Sequence, residues 1–135
     1  MNGLSIRQAS EQTGLSADTL RYYEKLGLIG PVPRTPTGQR RYGERDMSRL
    51  HFILRARRMS FSLEEIAQLL QLRDRPLAVC QEVRQLTHAK LEQIRSTMKE
   101  LSLLQNELEL LLNLCPGQGE GPCPIIEQLE TKKEA

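Results

Sequence analysis

The sequence predicts a mainly α-helical protein that joins a small domain of short helices to one long helix. Only 4% of the 135 residues are aromatic and none is Trp, so Leu and Ile must supply most of the core. Residues 77–114 contain neither Pro nor Gly, which allows one uninterrupted helix. Upstream, segments with helical spacing of apolar residues alternate with short turns rich in Gly or Pro. We expect no enzyme, because the chain leaves little room for a cleft and shows no Ser/His/Asp set, acid pair or phosphate loop.

A first pair of helices surrounds a tight turn in the segment SIRQASEQTGLSADTLRYYEKLGLI. Thr13 and Gly14 break the chain, and Ser16 is a suitable N-cap for a second helix over about residues 17–25. Two helices joined by a short turn with Gly form the helix-turn-helix pattern, whose second helix enters the DNA major groove. This helix carries hydrogen-bond donors, an arginine and two tyrosines, which suit phosphate and base-edge contacts. A simple helical hairpin with tyrosines in its core fits the segment equally well.

An arginine-rich segment follows, PVPRTPTGQRRYGERD, with three prolines and a Thr-Gly turn. It predicts a small hairpin or wing rather than a helix, and basic wings beside a recognition helix add phosphate contacts. The next segment has apolar residues at helical spacing, and SLEEIAQLL opens with a capping box from Ser62 to Glu65. A second pair of helices is therefore expected at about residues 44–58 and 63–72.

Charge is unevenly distributed along the chain. Residues 1–79 hold 13 Lys and Arg against 8 Asp and Glu, a net +5, whereas residues 80–135 hold 6 against 9, a net −3. A polyanion is the leading partner for the first half, although a charged surface that serves solubility alone gives the same balance. The sequence has no run of 18 apolar residues and no signal-peptide core, so we expect a cytoplasmic protein without membrane contact.

Together these segments resemble the MerR family of bacterial transcription regulators. LRYYEKLGLI, PVPRTPTGQRRY, LHFILRARRMSFSLEEI and the long helix follow that family's order and spacing over nearly the whole chain. The resemblance implies a winged helix-turn-helix DNA-binding domain (1–76), a long antiparallel coiled-coil dimerisation helix (77–114), and a metal-binding loop with a short terminal helix (115–135). It also implies a homodimer that binds two-fold symmetric promoter DNA and activates transcription by distorting the promoter for RNA polymerase.

The residues expected to face DNA lie on the second helix and on the wing. At Gln39 the sequence departs from the family, whose wing commonly has an aromatic residue there. The DNA-contact role that the resemblance implies therefore applies more directly to Arg34 and Arg40 than to Gln39. The predicted DNA-contact set is Ser16, Thr19, Arg21, Tyr22, Tyr23, Arg34, Gln39, Arg40 and Tyr42.

The spacing of two cysteines matches the period of the long helix. Residues at alternating steps of four and three, from Thr87 to Cys115, form a heptad seam, and Cys80 falls on the same phase. Cys80 and Cys115 are therefore five heptads apart on one helical face, about 52 Å at 1.5 Å per residue, and cannot share a ligand within one helix. In an antiparallel dimer centred near Met98, Cys80 of one protomer lies opposite Cys115 of the partner subunit.

The segment CPGQGEGPC brings the third cysteine, Cys123, back to the same end. Its three glycines allow the backbone turns needed to wrap thiolates around a small ion. Cys80 of one protomer with Cys115 and Cys123 of the partner subunit then forms a three-thiolate site for a soft metal ion. Two alternatives stay open, namely Cys80 as a small buried hydrophobe and a redox disulfide between the loop cysteines.

The identity of the ion follows less directly. CPGQGEGPCPIIEQLE resembles the metal-binding loop of the family's metal sensors, and most closely that of the copper(I) branch. That branch has Ser at the position of Cys80, whereas the zinc, cadmium, lead and mercury branches have Cys. A third thiolate also offsets a charge of +2, so the expected effector is a soft divalent ion (Hg, Cd, Pb or Zn). Copper(I) or silver(I), and thiol redox sensing, are the alternatives. Neither His51 nor His88 is expected to be a ligand.

Overall fold

The computed structural model describes residues 3–75 and 77–131, and this part of the chain is mainly α-helical, as predicted. Its helices are α1 Ile6–Thr13, α2 Ala17–Lys25, α3 Glu44–Arg58, α4 Leu63–Arg73, α5 Cys80–Leu114 and α6 Pro124–Glu130. The chain divides into two compact units, Met1–Thr87 and His88–Ala135. The domain boundary predicted from the sequence falls on Pro76, which lies outside the described residues.

Local signals define the helix-turn-helix of the first unit. Ser16 accepts a hydrogen bond from the backbone N–H of Thr19 (3.1 Å) and so caps the N-terminus of α2. Gly14 takes the left-handed conformation (φ 76°) that ends α1, which a residue with a Cβ adopts only with strain. The two helices pack as the predicted pair, with Ala9 of α1 and Leu20 of α2 fully buried.

The wing is a compact loop with very limited strand pairing. Arg34 and Arg40 form an isolated antiparallel bridge around a turn at Gly38 (φ 91°). A second isolated bridge joins Leu4 to Tyr42 and ties the base of the wing to the start of α1. The described residues contain no longer strand, and the prolines of this segment lack the N–H that a regular ladder needs.

α3 and α4 complete the core of the first unit. The capping box is present as predicted, since Ser62 accepts from the N–H of Glu65 (3.1 Å) and the Glu65 carboxylate accepts from the N–H of Ser62 (2.7 Å). Between the two helices, Ser60 has a φ of 70°, which is costly for a residue with a Cβ. The largest fully buried side chains are Tyr42, Leu20, Ile29, Leu50, Ile53, Ile66 and Leu70.

The second unit contains the later part of α5, the glycine loop and α6. α5 begins at Cys80, three residues after the predicted start, and continues without a break for 35 residues to Leu114. Apolar side chains of the predicted seam are exposed on it, namely Leu91, Ile94, Met98, Leu101, Leu108 and Leu112. An exposed apolar seam of this length is a surface for a second helix, in agreement with the expected dimer. Among the described helices, none combines the length and apolar character needed to cross a membrane.

Candidate DNA-binding surface and cysteine site

The exposed face of α2 presents part of the predicted DNA-contact set. Arg21 and Tyr22 are exposed, and Arg21 donates to the carboxylate of Asp18 (2.9 Å) in a surface ion pair. Such pairs contribute little stability, so Arg21 can exchange this carboxylate for a phosphate at small cost. Ser16 and Thr19 lie at the N-terminal end of α2, where their hydroxyls are 2.9 Å apart and hydrogen-bonded.

The wing presents its two predicted arginines differently. Arg34 is exposed and donates to the carbonyl of Gly38 (3.2 Å), and Gln39 is exposed beside it. The side chain of Arg40 is only 19% exposed, and its Nε–H donates to the carboxylate of Glu24 on α2 at 2.7 Å. This ion pair joins the wing to the recognition helix. Glu24 was not among the predicted residues, because 16 residues separate it from Arg40 and no local pattern connects them.

The structure corrects the expected roles of Tyr23 and Tyr42. Their side chains belong to the hydrophobic core, with 6% of Tyr23 and 1% of Tyr42 exposed. The Tyr42 hydroxyl is buried without a hydrogen-bond partner among the described residues, and burial raises the pKa of this phenol. Tyr23 lies three residues after the fully buried Leu20 and so shares its face of α2, whereas Tyr22 points outward. Both corrected residues support the surface from beneath.

A cleft between α2 and the wing brings a further cation into the surface. Lys25, Arg21 and Arg40 all line this cleft, which has a volume of about 440 Å³. Three cationic side chains around one concave surface suit a phosphate of the DNA backbone. Lys25 was missing from the predicted set. Its position four residues after Arg21, which puts both on one face of α2, is the signal that could have revealed it.

Glu24 carries its negative charge inside this cationic surface. Burial of its carboxyl group disfavours the charged form, but hydrogen bonds from Arg40 and from the backbone N–H of Val32 (3.0 Å) outweigh that effect. The pKa of Glu24 therefore lies below its ordinary value, and the side chain is a carboxylate at neutral pH.

The three cysteines are free thiols, and the fold brings two of them together. Cys115 directly follows α5, Cys123 is the N-cap of α6, and the two side chains interact across the glycine loop. The backbone N–H groups of Ile126 and Ile125, with the Cys115 thiol, hold the pKa of Cys123 below its ordinary value. A lowered pKa favours the thiolate, which is the form that binds metals. Cys80 is exposed at the first residue of α5.

The described residues of one protomer place soft donors in the loop but contain no cluster of three metal-binding side chains. Nowhere in residues 3–75 and 77–131 do three His, Cys, Asp or Glu side chains lie close enough together to hold a metal. Cys80 opens the helix that ends just before Cys115, and 35 residues of α-helix span about 52 Å. The two loop thiols are soft donors.

Sequence comparison identifies relatives over nearly the whole chain. Residues 4–73 match the family described as MerR HTH family regulatory protein, and residues 47–111 match the family described as MerR, DNA binding. The chain is 39% identical to the probable heavy metal-dependent transcriptional regulator of Haemophilus influenzae, over 93% of this chain and 98% of that protein. It is 38% identical to the mercuric resistance operon regulatory protein of Serratia marcescens, over 99% of this chain and 92% of that protein.

Structural comparison agrees with these matches. The fold is similar to the crystal structure of the transcription regulator PbrR691 from Ralstonia metallidurans CH34 in complex with lead(II). The TM-score is 0.80 and the identity 37%, over 93% of this chain and 98% of that one. The comparisons confirm the predicted fold class, the absence of an enzyme function, and a regulator that binds promoter DNA as a dimer. The chain belongs to the MerR family of helix-turn-helix transcription regulators.

Proposed function

We propose that this protein activates transcription in response to a soft divalent metal ion, namely Hg, Cd, Pb or Zn. The observation that carries the proposal is the pair of loop thiols, Cys115 and Cys123, which interact with each other beside the amides that open α6. The relatives named for heavy metals and mercuric resistance, and the similar regulator in complex with lead(II), support the same class of effector.

The proposed site is shared between two protomers. Cys80 is the first residue of α5 and Cys115 follows its last residue, so one protomer alone does not supply both to a single ion. In an antiparallel pair of α5 helices, the Cys80 end of one chain lies beside the loop end of the other, and two-fold symmetry produces two such sites. The exposed seam of α5 is the surface that such pairing would bury.

The number of thiolates supports a divalent ion. Three thiolates with a divalent ion leave a net charge of −1, the same as two thiolates with a monovalent ion, and three soft donors suit Hg, Pb or Cd. Zn normally takes four ligands and would need one more group. Copper(I) or silver(I) is the second candidate, because the loop by itself supplies the two thiolates that a monovalent ion needs. The proximity of Cys115 to Cys123 also leaves a thiol redox switch to be tested.

The proposed DNA-binding surface combines the predicted residues that are not part of the core with Lys25, which lines the cleft beside α2. It comprises Ser16, Thr19, Arg21, Tyr22, Lys25, Arg34, Gln39 and Arg40. Distortion of promoter DNA costs about 1–6 kcal/mol, a size that the free energy of metal binding can supply, so occupancy of the cysteine site can set the shape of the promoter that RNA polymerase meets.

A titration with transcription as the readout tests the proposal. The reduced dimer is titrated with Zn, Cd, Pb, Hg and Cu(I) in the presence of a competing chelator, as the parent and as Cys80→Ser. We expect the parent to respond to divalent ions and Cys80→Ser to lose that response. His88→Ala, an exposed substitution on the same helix, is the matched control and should behave as the parent.

The same titration separates the alternatives. A parent that responds only to Cu(I) would establish the monovalent class. A parent that responds to an oxidant without any metal would establish the redox class. A Cys80→Ser variant with the parent's divalent response would make Cys80 a packing residue.

A further inference from the structure

A single carboxylate attaches both sides of the wing to the recognition helix. Oε1 of Glu24 accepts a hydrogen bond from Nε of Arg40 (2.7 Å), and Oε2 accepts one from the backbone N–H of Val32 (3.0 Å). Val32 lies on the segment that enters the wing, and Arg40 lies on the segment that returns from it. The two segments are joined to each other by a hydrogen bond from the N–H of Arg41 to the carbonyl of Pro33 (2.7 Å).

This contact is more protected from water than the exposed ion pairs around it. The side chains of Glu24 and Arg40 are 16% and 19% exposed, whereas Arg7 with Glu11 forms a pair that is largely exposed. Charge-assisted hydrogen bonds that are partly shielded from water hold their geometry better than exposed ones. The orientation of the Arg40 guanidinium is therefore fixed by Glu24 before DNA arrives.

The negative charge of Glu24 is unfavourable in a surface that binds phosphates. Glu24 lines the same cleft as Arg21, Lys25 and Arg40, where a carboxylate repels the phosphates that these cations attract. If Glu24 contributed only surface charge or solubility, its replacement by a neutral residue would strengthen DNA binding. A residue that positions Arg40 would weaken binding if it were removed, so the sign of the effect distinguishes the two roles.

We propose that Glu24 is a positioning residue for DNA binding, which holds Arg40 and the wing in the orientation that meets the DNA backbone. Only Nε of Arg40 donates to Glu24, so the terminal nitrogens of the guanidinium are the groups that meet a phosphate. The inference rests on the proposed place of Arg40 in the DNA-binding surface. It adds a residue that touches no DNA and acts through another side chain.

The test is a double-mutant cycle in the full-length dimer. Glu24→Ala, Arg40→Ala and the double variant are titrated against a duplex that the parent dimer has selected from random-sequence DNA, over a range of salt concentrations. Each variant is first shown to be folded by its thermal unfolding. Glu11→Ala removes the same charge from an exposed ion pair on α1 and is the matched control. Glu24→Gln keeps one acceptor oxygen and stands in if Glu24→Ala does not fold.

We expect Glu24→Ala to weaken binding about tenfold and to lower the slope of log K against log salt by about one, as Arg40→Ala does. The double variant should bind within about twofold of Arg40→Ala, because Glu24 acts through Arg40. Glu24→Gln should lie between Glu24→Ala and the parent, and Glu11→Ala should bind at least as well as the parent.

Three outcomes would overturn the inference. If Glu24→Ala, or Glu24→Gln in its place, binds DNA as tightly as the parent, the carboxylate does not position Arg40 for binding. Fully additive losses with an unchanged salt slope would show a structural role that does not pass through Arg40. An unaffected Arg40→Ala would remove Arg40 from the DNA-binding surface, and Glu24 with it. If the losses are additive but Arg40→Ala still binds DNA more weakly than the parent, the proposed DNA-binding surface is retained and only the role of Glu24 is rejected.

Discussion

Replacement of Arg49 by Ala tests how the first unit is held together. Arg49 lies on α3 with its side chain 11% exposed. Its Nε–H donates to the carbonyl of Leu28 (3.0 Å), and its Nη1 donates to both carboxylate oxygens of Asp74 (2.9 and 3.0 Å). Leu28 lies in the segment that leads from α2 to the wing, and Asp74 is the C-cap of α4. One guanidinium therefore joins three parts of the first unit.

The expected loss of unfolding free energy is about 2–4 kcal/mol. A hydrogen bond to a charged group contributes about 1.5–3 kcal/mol, but roughly half of the Asp74 side chain is exposed, so we count about 1–2 kcal/mol for that pair. The Leu28 residue is buried, so water cannot readily replace the donor that its carbonyl loses, which adds about 1–2 kcal/mol.

Urea denaturation of the dimer, at one fixed protomer concentration, measures the loss. Arg7→Ala is the matched control, because Arg7 forms an exposed pair with Glu11 at 3.4 Å and its removal should cost less than about 0.5 kcal/mol. Equal midpoints for Arg49→Ala and Arg7→Ala, with unchanged slopes, would refute the reasoning.

Three further substitutions probe single residues of the first unit. Ser60→Gly should raise the free energy of unfolding by up to about 1 kcal/mol, because its φ of 70° favours glycine; a lower denaturation midpoint would contradict this. Tyr42→Phe should be neutral or stabilising by about 1 kcal/mol, because the hydroxyl has no partner among the described residues, and a loss above that size would show that it has one. The folded-state pKa of Glu24 is lowered, so its contribution is complete above the unfolded-state pKa and is lost as pH falls through the folded-state pKa. Glu24→Gln should therefore reduce stability at neutral pH and flatten its decline in acid, and identical acid profiles for parent and variant would argue against the ion pair.

The elements that local signals define could be predicted from the sequence. Ser16 and Ser62 are N-caps in the structure as they are in the pattern, and the predicted bounds of α2 and α3 agree with those observed. In each case the information lies within a few residues of the feature that it specifies.

Tertiary contacts between residues that are distant in the sequence could not be predicted. Tyr22 and Tyr23 are adjacent tyrosines, and which of them is buried depends on the face of α2 that packs against the core, here the face of Leu20. The pairing of Glu24 with Arg40 needs the path of the wing, and the pairing of Arg49 with Asp74 needs the arrangement of α3 and α4. Interactions between residues 16 or 25 positions apart leave no periodic trace in a single sequence.

A heterodimer with complementary cysteine substitutions tests the proposed shared metal site most directly. One chain carries Cys80→Ser, and the other carries both Cys115→Ser and Cys123→Ser. If ligands come from both protomers, the intact Cys80 of the second chain meets the intact loop of the first, and one complete site remains per dimer. The account therefore predicts tight binding of one divalent ion per heterodimer under a competing chelator. Loss of all three-thiolate binding would contradict it, because ligation within each chain leaves neither site complete.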